Sequence, residues 1–282
     1  MNEIKLQQWI DRNETVDDII GLTPARALAA TFNRQTEFFA QSQLPALWHW
    51  LYFLETAAQQ DLAPDGHRQR GGFLPPIILP RRMWAGSQLQ FHLPVNIGDP
   101  LTRSSTIHSI KEKTGRSGSL AFVKVQHEIS RSGQLCITES QDIVYREAAK
   151  PGASLPAGEP ADSVSDFQLQ FQADSRLLFR YSALTFNAHR IHYDTPYVNG
   201  VEGYPGLIVH GPLLATMMLE LLWQNLPEAQ LSAFEFKALR PVFDNKACTI
   251  RATSPDSEGN VRLWVADHEG ALCMQGQAII RP

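Results

Sequence analysis

Between Phe186 and Asp194 the chain reads Phe-Asn-Ala-His-Arg-Ile-His-Tyr-Asp, nine residues carrying one amide, two imidazoles, a guanidinium, a phenol and a carboxylate. Imidazoles and carboxylates move protons near neutral pH, and a loop that only connects two elements has little need of them. Farther on, Val209-His210-Gly211-Pro212 runs into an apolar stretch ending at Trp223 that reads as a buried helix. Proline suits the first position of a helix, which places His210 and Gly211 at its entrance. The first amides of a helix lack acceptors and sit at the positive end of its dipole, and glycine lets a ligand approach them. An entrance of this kind suits negative charge on oxygen. The plain alternatives are a polar surface loop whose Asn and Asp make turn bonds, and a glycine that only relieves crowding.

The elements that must position these groups follow from pattern. Asp174-Ser175 is a good cap for a helix with Leu177, Leu178, Tyr181 and Leu184 on one face, running out near Thr185. Leu231–Phe236, Ala247–Thr253, Val261–Asp267 and Leu272–Ile280 read as strands behind the second apolar helix. The first half shows a similar grammar. Its first sixty residues read as helical, over Asp11–Ile20, Pro24–Phe39 and a buried Ala46–Glu55, followed by a proline-broken extended loop over 71–82. Strands are expected at 88–91, 101–111, 120–129 and 135–145. Residues 149–166 are nearly all Pro, Gly, Ala, Ser and acid, and read as a linker between a first unit, 1–148, and a second, 167–282. Short echoes support duplication: Ser87-x-Leu-x-Phe91 with Pro94-Val95 against Ser232-x-Phe-x-Phe236 with Pro241-Val242, and His127-Glu128 before Leu135-Cys136 against His268-Glu269 before Leu272-Cys273. Each half is then one long buried helix wrapped by an antiparallel sheet, the two sheets joining edge to edge.

On these residues the sequence resembles a known family. Val209-His210-Gly211 opening an apolar helix behind an Asn/His loop is similar to the MaoC-type hydratases and dehydratases of enoyl thioesters. Phe179 to Asp194 together with Gly206 to Pro212 resembles, more narrowly, the Htd2-like dehydratases and the mesaconyl-C4-CoA and itaconyl-CoA hydratases. The resemblance implies an α+β double hotdog, with a degenerate first hotdog in 1–148 and the catalytic one in 167–282. It implies a hydro-lyase that adds water to a short dicarboxylic enoyl-CoA, with CoA as part of the substrate, no metal, no other cofactor, and a homodimer. In the wider family the catalytic loop reads Asp-x-Asn-Pro-x-His-x-Asp. Counting back from His192, this chain has Asn187 where the family has Asp and His189 where it has Asn; a gapped match puts Thr185 at the Asp position instead. An amide takes no proton from water, so Asn187 is expected to orient water and the proton work falls to His192 with His189 or Asp194. Gly211, with His210 beside it, is expected to hold the thioester oxygen. Arg180 and Arg190 are the candidates for a second substrate carboxylate, and Arg81, Arg82 and Arg240 for CoA phosphates.

Composition closes off other classes. The 282 residues carry 25 basic and 29 acidic side chains, a net charge of −4, so no polyanion partner is expected. The amino terminus shows no basic-then-apolar signal and no apolar run reaches membrane-spanning length, which predicts a cytoplasmic protein with no membrane partner. Cys136, Cys248 and Cys273 read as reduced core thiols. Four rivals stay open: a fatty-acid-type 3-hydroxyacyl-ACP or -CoA dehydratase, a hotdog thioesterase using Asp194, a metal site from His189, His192, Asp194 and His210, and a non-catalytic thioester-binding module.

Overall fold

The computed structural model describes residues 6–35, 37–115, 118–148, 155 and 157–281. Strands β1 (Asn13–Ile19), β2 (Arg81–Phe91), β3 (Pro100–Gly115), β4 (Gly118–Arg131) and β5 (Gln134–Arg146) belong to the first half. Strands β6 (Phe167–Gln172), β7 (Gln230–Ala238), β8 (Ala247–Ala252), β9 (Asn260–Ala266) and β10 (Leu272–Arg281) belong to the second. They form one ten-stranded antiparallel sheet in the order β1-β3-β4-β5-β2-β7-β10-β9-β8-β6. Read from the centre outward, the two halves repeat each other. The seam is the β2–β7 pair, Gly86 opposite Lys237 through Gln90 opposite Ala233, so neither strand is left as an open edge. A side chain at Gly86 would meet the Phe236 carbonyl at 2.4 Å, which is why glycine stands at the seam.

The repeat is real in the backbone and looser in the residues. Leu44 N–H donates to Val95 O as Val209 N–H does to Val242 O, and Cys136 O and Cys273 O each accept from a pair of amides at the end of the neighbouring strand. Pro94-Val95 and Cys136 therefore match Pro241-Val242 and Cys273. The Ser87–Phe91 echo is out of step by two residues. His127 lies inside β4 while His268 lies in the turn before β10, so that echo is chance.

Three helices carry the second half: α2 (Ser175–Leu184), α3 (Thr195–Gly200) and α4 (Gly211–Asn225). Leu213 to Leu222 of α4 are all buried, and they form the centre of the main core together with the inner faces of β6, β8 and β9. The first half has α1 (Leu22–Thr31), which packs on α2. A smaller core on the same face of β3, β4 and β5, set off from the main one by the buried polar Ser105, His127 and Glu139, is closed by the proline-broken segment around Ile77.

Two expected helices are absent. Residues 13–19 alternate exposed and half-buried as an edge strand beside β3, and their acids accept from distant donors: Asp17 from the Thr102 hydroxyl at 2.6 Å, Asp18 from the Phe53 amide at 2.7 Å. The Ala46–Glu55 helix is replaced by one 3-10 turn, Trp48–Leu51, between left-handed Leu47 (φ 69) and Phe53 (φ 55). The reason is Glu139, which binds His49 at 3.2 Å and Trp50 at 3.1 Å. Adjacent residues of an α-helix face directions too far apart to share one carboxylate. The described part of the expected linker is not loose either: Asp162 O accepts from the Trp264 indole at 2.9 Å, and Pro160 bridges Ala271. Residues 149–154 and 156 lie outside the described residues.

Candidate active site

Helix α2 starts and stops where its sequence signals place it. Asp174 accepts from the Leu177 amide at 2.9 Å, and the helix ends at Thr185. Phe186 then takes a left-handed φ of 48, which turns the chain back so that Asn187 N–H donates to Ser182 O at 2.8 Å. The loop that follows lies along a cleft of about 1150 Å³, with the entrance of α4 beside it. Asn187, His189, His192, His210 and Gly211 all line it.

His192 is buried, and its Nδ1 lies 2.7 Å from the Ile208 carbonyl. A carbonyl only accepts, so Nδ1 carries the proton and Nε2 is the open lone pair. Burial lowers this imidazole to about 4, with His67 adding to the effect and the Ile208 bond opposing it. His210 stacks on it at 3.6 Å between ring centres, and its Nε2 is 2.8 Å from the Ser182 hydroxyl. His210 is therefore a wall that holds His192 flat. Asn187 spends its carbonyl oxygen on the His189 amide at 2.9 Å, so it shapes the loop. Gly211 is the first residue of α4, followed by proline, and a Cβ there would meet nothing closer than 3.9 Å.

Three expected residues lie outside the cleft lining, and two that line it are spent in ion pairs. Asp194 caps α3, accepting from the Tyr197 amide at 3.1 Å, and pairs with Arg190 at 2.8 Å, outside the cleft lining. Arg190 also donates to Pro64 O at 3.0 Å and lies over the Tyr197 ring. Arg180 is exposed on α2 and does not line the cleft. Arg81 lines it but is buried in an ion pair with Glu202 at 2.7 Å, and Arg240 pairs with Asp267 at 3.4 Å. Short local pairings within two turns of chain took Arg190 and Asp194 out of play. The rival metal set is not assembled: Asp194 pairs with Arg190 outside the cleft lining, and among the described residues the His and acid ligand atoms that converge are those of Asp65, His67 and His189.

The cleft also contains groups that the loop did not announce. Asp65, Gly66 and His67 of the first half stand against the 186–194 loop. His67 Nδ1 is 3.0 Å from Asp65 Oδ2, and its ring packs on His189 at 3.9 Å. Asp65, His67 and His189 bring three possible cation donors within 4.8 Å, but the first two are bonded to each other. Burial raises Asp65, and the bond and charge of His67 with the charge of Arg82 outweigh it, holding the carboxyl at about 2. Burial drives His189 well below the usual histidine value, with His67, His192 and Arg82 adding to the effect. The signal for this trio was an Asp-Gly turn with histidine two residues after the aspartate, in a segment otherwise short of core residues.

Residues 47–244 match the family model described as hydroxyacyl-thioester dehydratase type 2. Over 86% of this chain and 87% of the relative, the sequence is 50% identical to a mesaconyl-C4-CoA hydratase of Chloroflexus aurantiacus. The chain belongs to the hydroxyacyl-thioester dehydratase type 2 family. Members of this family are hydro-lyases, and this chain is one. It is also 29% identical to the mitochondrial type 2 dehydratase of Schizosaccharomyces pombe, over 77% of this chain and 79% of that one. Among solved structures it resembles a MaoC-like dehydratase of Phytophthora capsici, with TM-score 0.71 and 15% identity over 99% of this chain and 98% of that one. A double-hotdog protein of Mycobacterium tuberculosis aligns with TM-score 0.59 and 14% identity over 96% of both chains. The ten-stranded sheet is thus the double hotdog of the type 2 family, with the first half's central helix reduced to one turn. Among the described residues no helix is long and apolar enough to cross a membrane.

Proposed function

We propose that this protein hydrates, reversibly, a short branched dicarboxylic enoyl-CoA of the mesaconyl or itaconyl kind. The substrate's thioester oxygen lies over the Gly211 amide, where negative charge builds as the enolate forms; one such donor is worth about 3 kcal/mol in acyl-transfer enzymes. The attacking water lies against His192 Nε2, the one nitrogen of that ring left open. A saturated 3-hydroxyacyl thioester runs the same path backwards, so the groups serve dehydration equally.

One observation carries the choice of acyl group. Arg82 lines the cleft beside His67 and His189 and lowers both electrostatically. Among the described residues no acid forms an ion pair with it or with Arg146, which donates to the Tyr204 hydroxyl away from these rings, whereas Arg68, Arg81 and Arg240 on the same walls pair with Glu55, Glu202 and Asp267. A cation next to the acid/base groups calls for an anion next to the reacting carbons, and a second carboxylate on the acyl chain is such an anion. The relative at 50% identity, named for mesaconyl-C4-CoA, supports this reading.

The test is kcat/KM on mesaconyl-C4-CoA, itaconyl-CoA and crotonyl-CoA, read as loss of enoyl absorbance with free thiol followed in parallel. A charge-assisted bond of about 1.5–3 kcal/mol predicts a dicarboxylic preference of roughly tenfold or more, collapsing in Arg82→Met. Equal use of crotonyl-CoA by the wild type would end the dicarboxylic reading, and thiol release ahead of enoyl loss would make the protein a thioesterase.

A further inference from the structure

Water attacking the β-carbon must lose a proton, and the α-carbon must gain one. His192 is buried without a carboxylate, so it is a poor place to rest positive charge. We propose that Asp65 and His67 are the proton-transfer pair of this site: His67 Nε2 takes the proton of the attacking water and delivers it to the α-carbon, while Asp65 holds the ring and balances its charge. This inference rests on the hydratase reading above.

The geometry supports it at three levels. Among the four histidines lining the cleft, only His67 hydrogen-bonds a carboxylate among the described residues. Such a carboxylate fixes the tautomer with the far nitrogen open, and stabilises the imidazolium as it forms. Burial, with the Arg82 charge, holds the His67 imidazole below its usual value, and the bond and charge of Asp65 with the charge of Glu55 oppose that, a support that His192 lacks; the His189 ring packs beside it. The pair is also firmly docked. Leu62 and Arg68 close a small hairpin, Ala63 N–H donates to His67 O at 2.7 Å, and Arg190 of the catalytic loop donates its amide to Asp65 O at 2.9 Å. Gly66, at φ 91, touches the loop so closely that a Cβ would lie 1.8 Å from the Ala188 carbonyl oxygen. The carboxylate missing from the family's loop position is thereby supplied from over a hundred residues away in sequence.

The step balances without a further reactant. Water oxygen bonds to the β-carbon as the double-bond pair moves onto the thioester oxygen at Gly211. The released proton sits on His67 Nε2 against the Asp65 carboxylate, and the other O–H stays hydrogen-bonded to His192 Nε2. The enolate pair then takes the proton from His67 at the α-carbon, and the imidazole returns to its neutral state.

The experiment compares wild type, His67→Gln, Asp65→Asn and Asp65→Glu on the enoyl-CoA that the wild type hydrates fastest, crotonyl-CoA included. His67→Gln is expected to lose about 10²-fold or more in kcat. Asp65→Asn is expected to lose turnover and to move the acid limb of the kcat/KM profile to lower pH, since the imidazolium has lost its counter-charge; Asp65→Glu restores part of both. Affinity for succinyl-CoA, or for butyryl-CoA when crotonyl-CoA is the substrate, is expected to stay within about threefold in all variants, as the pair acts on the reacting atoms. Turnover of His67→Gln within about threefold of wild type would overturn the proposal, as would an unmoved acid limb in Asp65→Asn or a parallel loss of saturated acyl-CoA affinity. Wild-type turnover lost to chelation and restored by zinc would also overturn it, making the trio a metal site. If the wild type hydrates crotonyl-CoA and ignores dicarboxylic substrates, the substrate reading falls and the pair is still tested; if it hydrates mesaconyl-C4-CoA and His67→Gln does so equally well, the pair falls alone.

Discussion

The two halves of this sheet reach the same point in the fold and then diverge. After Val209 the chain enters α4, fifteen residues with its inner turns buried. After the equivalent Leu44 it makes one 3-10 turn and leaves, running from Phe53 to Pro80 before β2 begins. The second half keeps the helix and with it the Gly211 entrance that lines the cleft. The first half gives up the helix and sends the Asp65–His67 hairpin to its neighbour's cleft. Once two copies share one sheet, the core tolerates the loss of one helix, and the freed chain can complete a site that the other copy cannot complete from its own loop.

Mutations can break this division of labour, and the largest effects are expected at the site. His192→Asn keeps a donor for the Ile208 carbonyl and removes the open ring nitrogen, so turnover should fall by at least about 10²-fold with little change in melting temperature. His192→Ala would also leave that carbonyl unpaired, at a cost of about 1–3 kcal/mol, so it confuses the two effects. A rate within threefold of wild type in the Asn variant would remove His192 from the reaction.

Next in size is Gly66→Val. Backbone contact with Ala188 forces the hairpin off the loop, so kcat should drop roughly tenfold or more while urea unfolding shows a folded protein. Unchanged kcat would mean that the docking of the hairpin is irrelevant to catalysis. For the cores, Leu213→Ala in α4 and Trp48→Ala in the 3-10 turn, both fully buried, should each destabilise by about 3–5 kcal/mol in urea titrations. A cost under about 1 kcal/mol at Trp48 would show that the first half lacks a packed core of its own.

The smallest and sharpest contrast is in pH. Glu139 of the first half is pushed up by burial, but the bonds and charge of His49, His127 and Trp50 outweigh that and hold it at about 2. Its native pKa lies below the unfolded value, so its contribution is present above pH 4.5 and is lost as pH falls towards 2. Glu220 in α4 is raised by burial, which Arg34 at 3.1 Å only partly offsets. Its native pKa lies above the unfolded one, so its contribution is present below pH 4.5 and is lost as pH rises through the raised value. Melting curves from pH 3 to 7 should therefore show Glu139→Gln flattening the acid side and Glu220→Gln removing a decline towards neutral pH; the same slope change in both would refute the contrast.

Much of the second half was legible because its signals are local. The Asp174 cap and the stop at Thr185, the proline at the mouth of α4, the period-two strands and the Asn/His loop all depend on residues a few positions apart, and each appears where the spacing puts it. The first half misled for the same reason. Acids over 11–20 and an aromatic run over 46–55 look helical until β3 pairs with one and Glu139 takes hold of the other. Arg180, Arg190 and Asp194 carried the right chemistry in the wrong places.

Sequence by itself determined α2, the entrance of α4 and strands β7 to β10 of the second half, because helix caps and periodicity are written within one or two turns of chain. Only the tertiary structure decided which arginines of the cleft are spent in ion pairs and that a carboxylate and a fourth imidazole arrive from the other half. Those outcomes depend on partners such as His49 with Glu139, or Arg190 with Pro64, separated by 90 and 126 residues. Contacts at that range are chosen by how the shared sheet packs, and no local pattern records them.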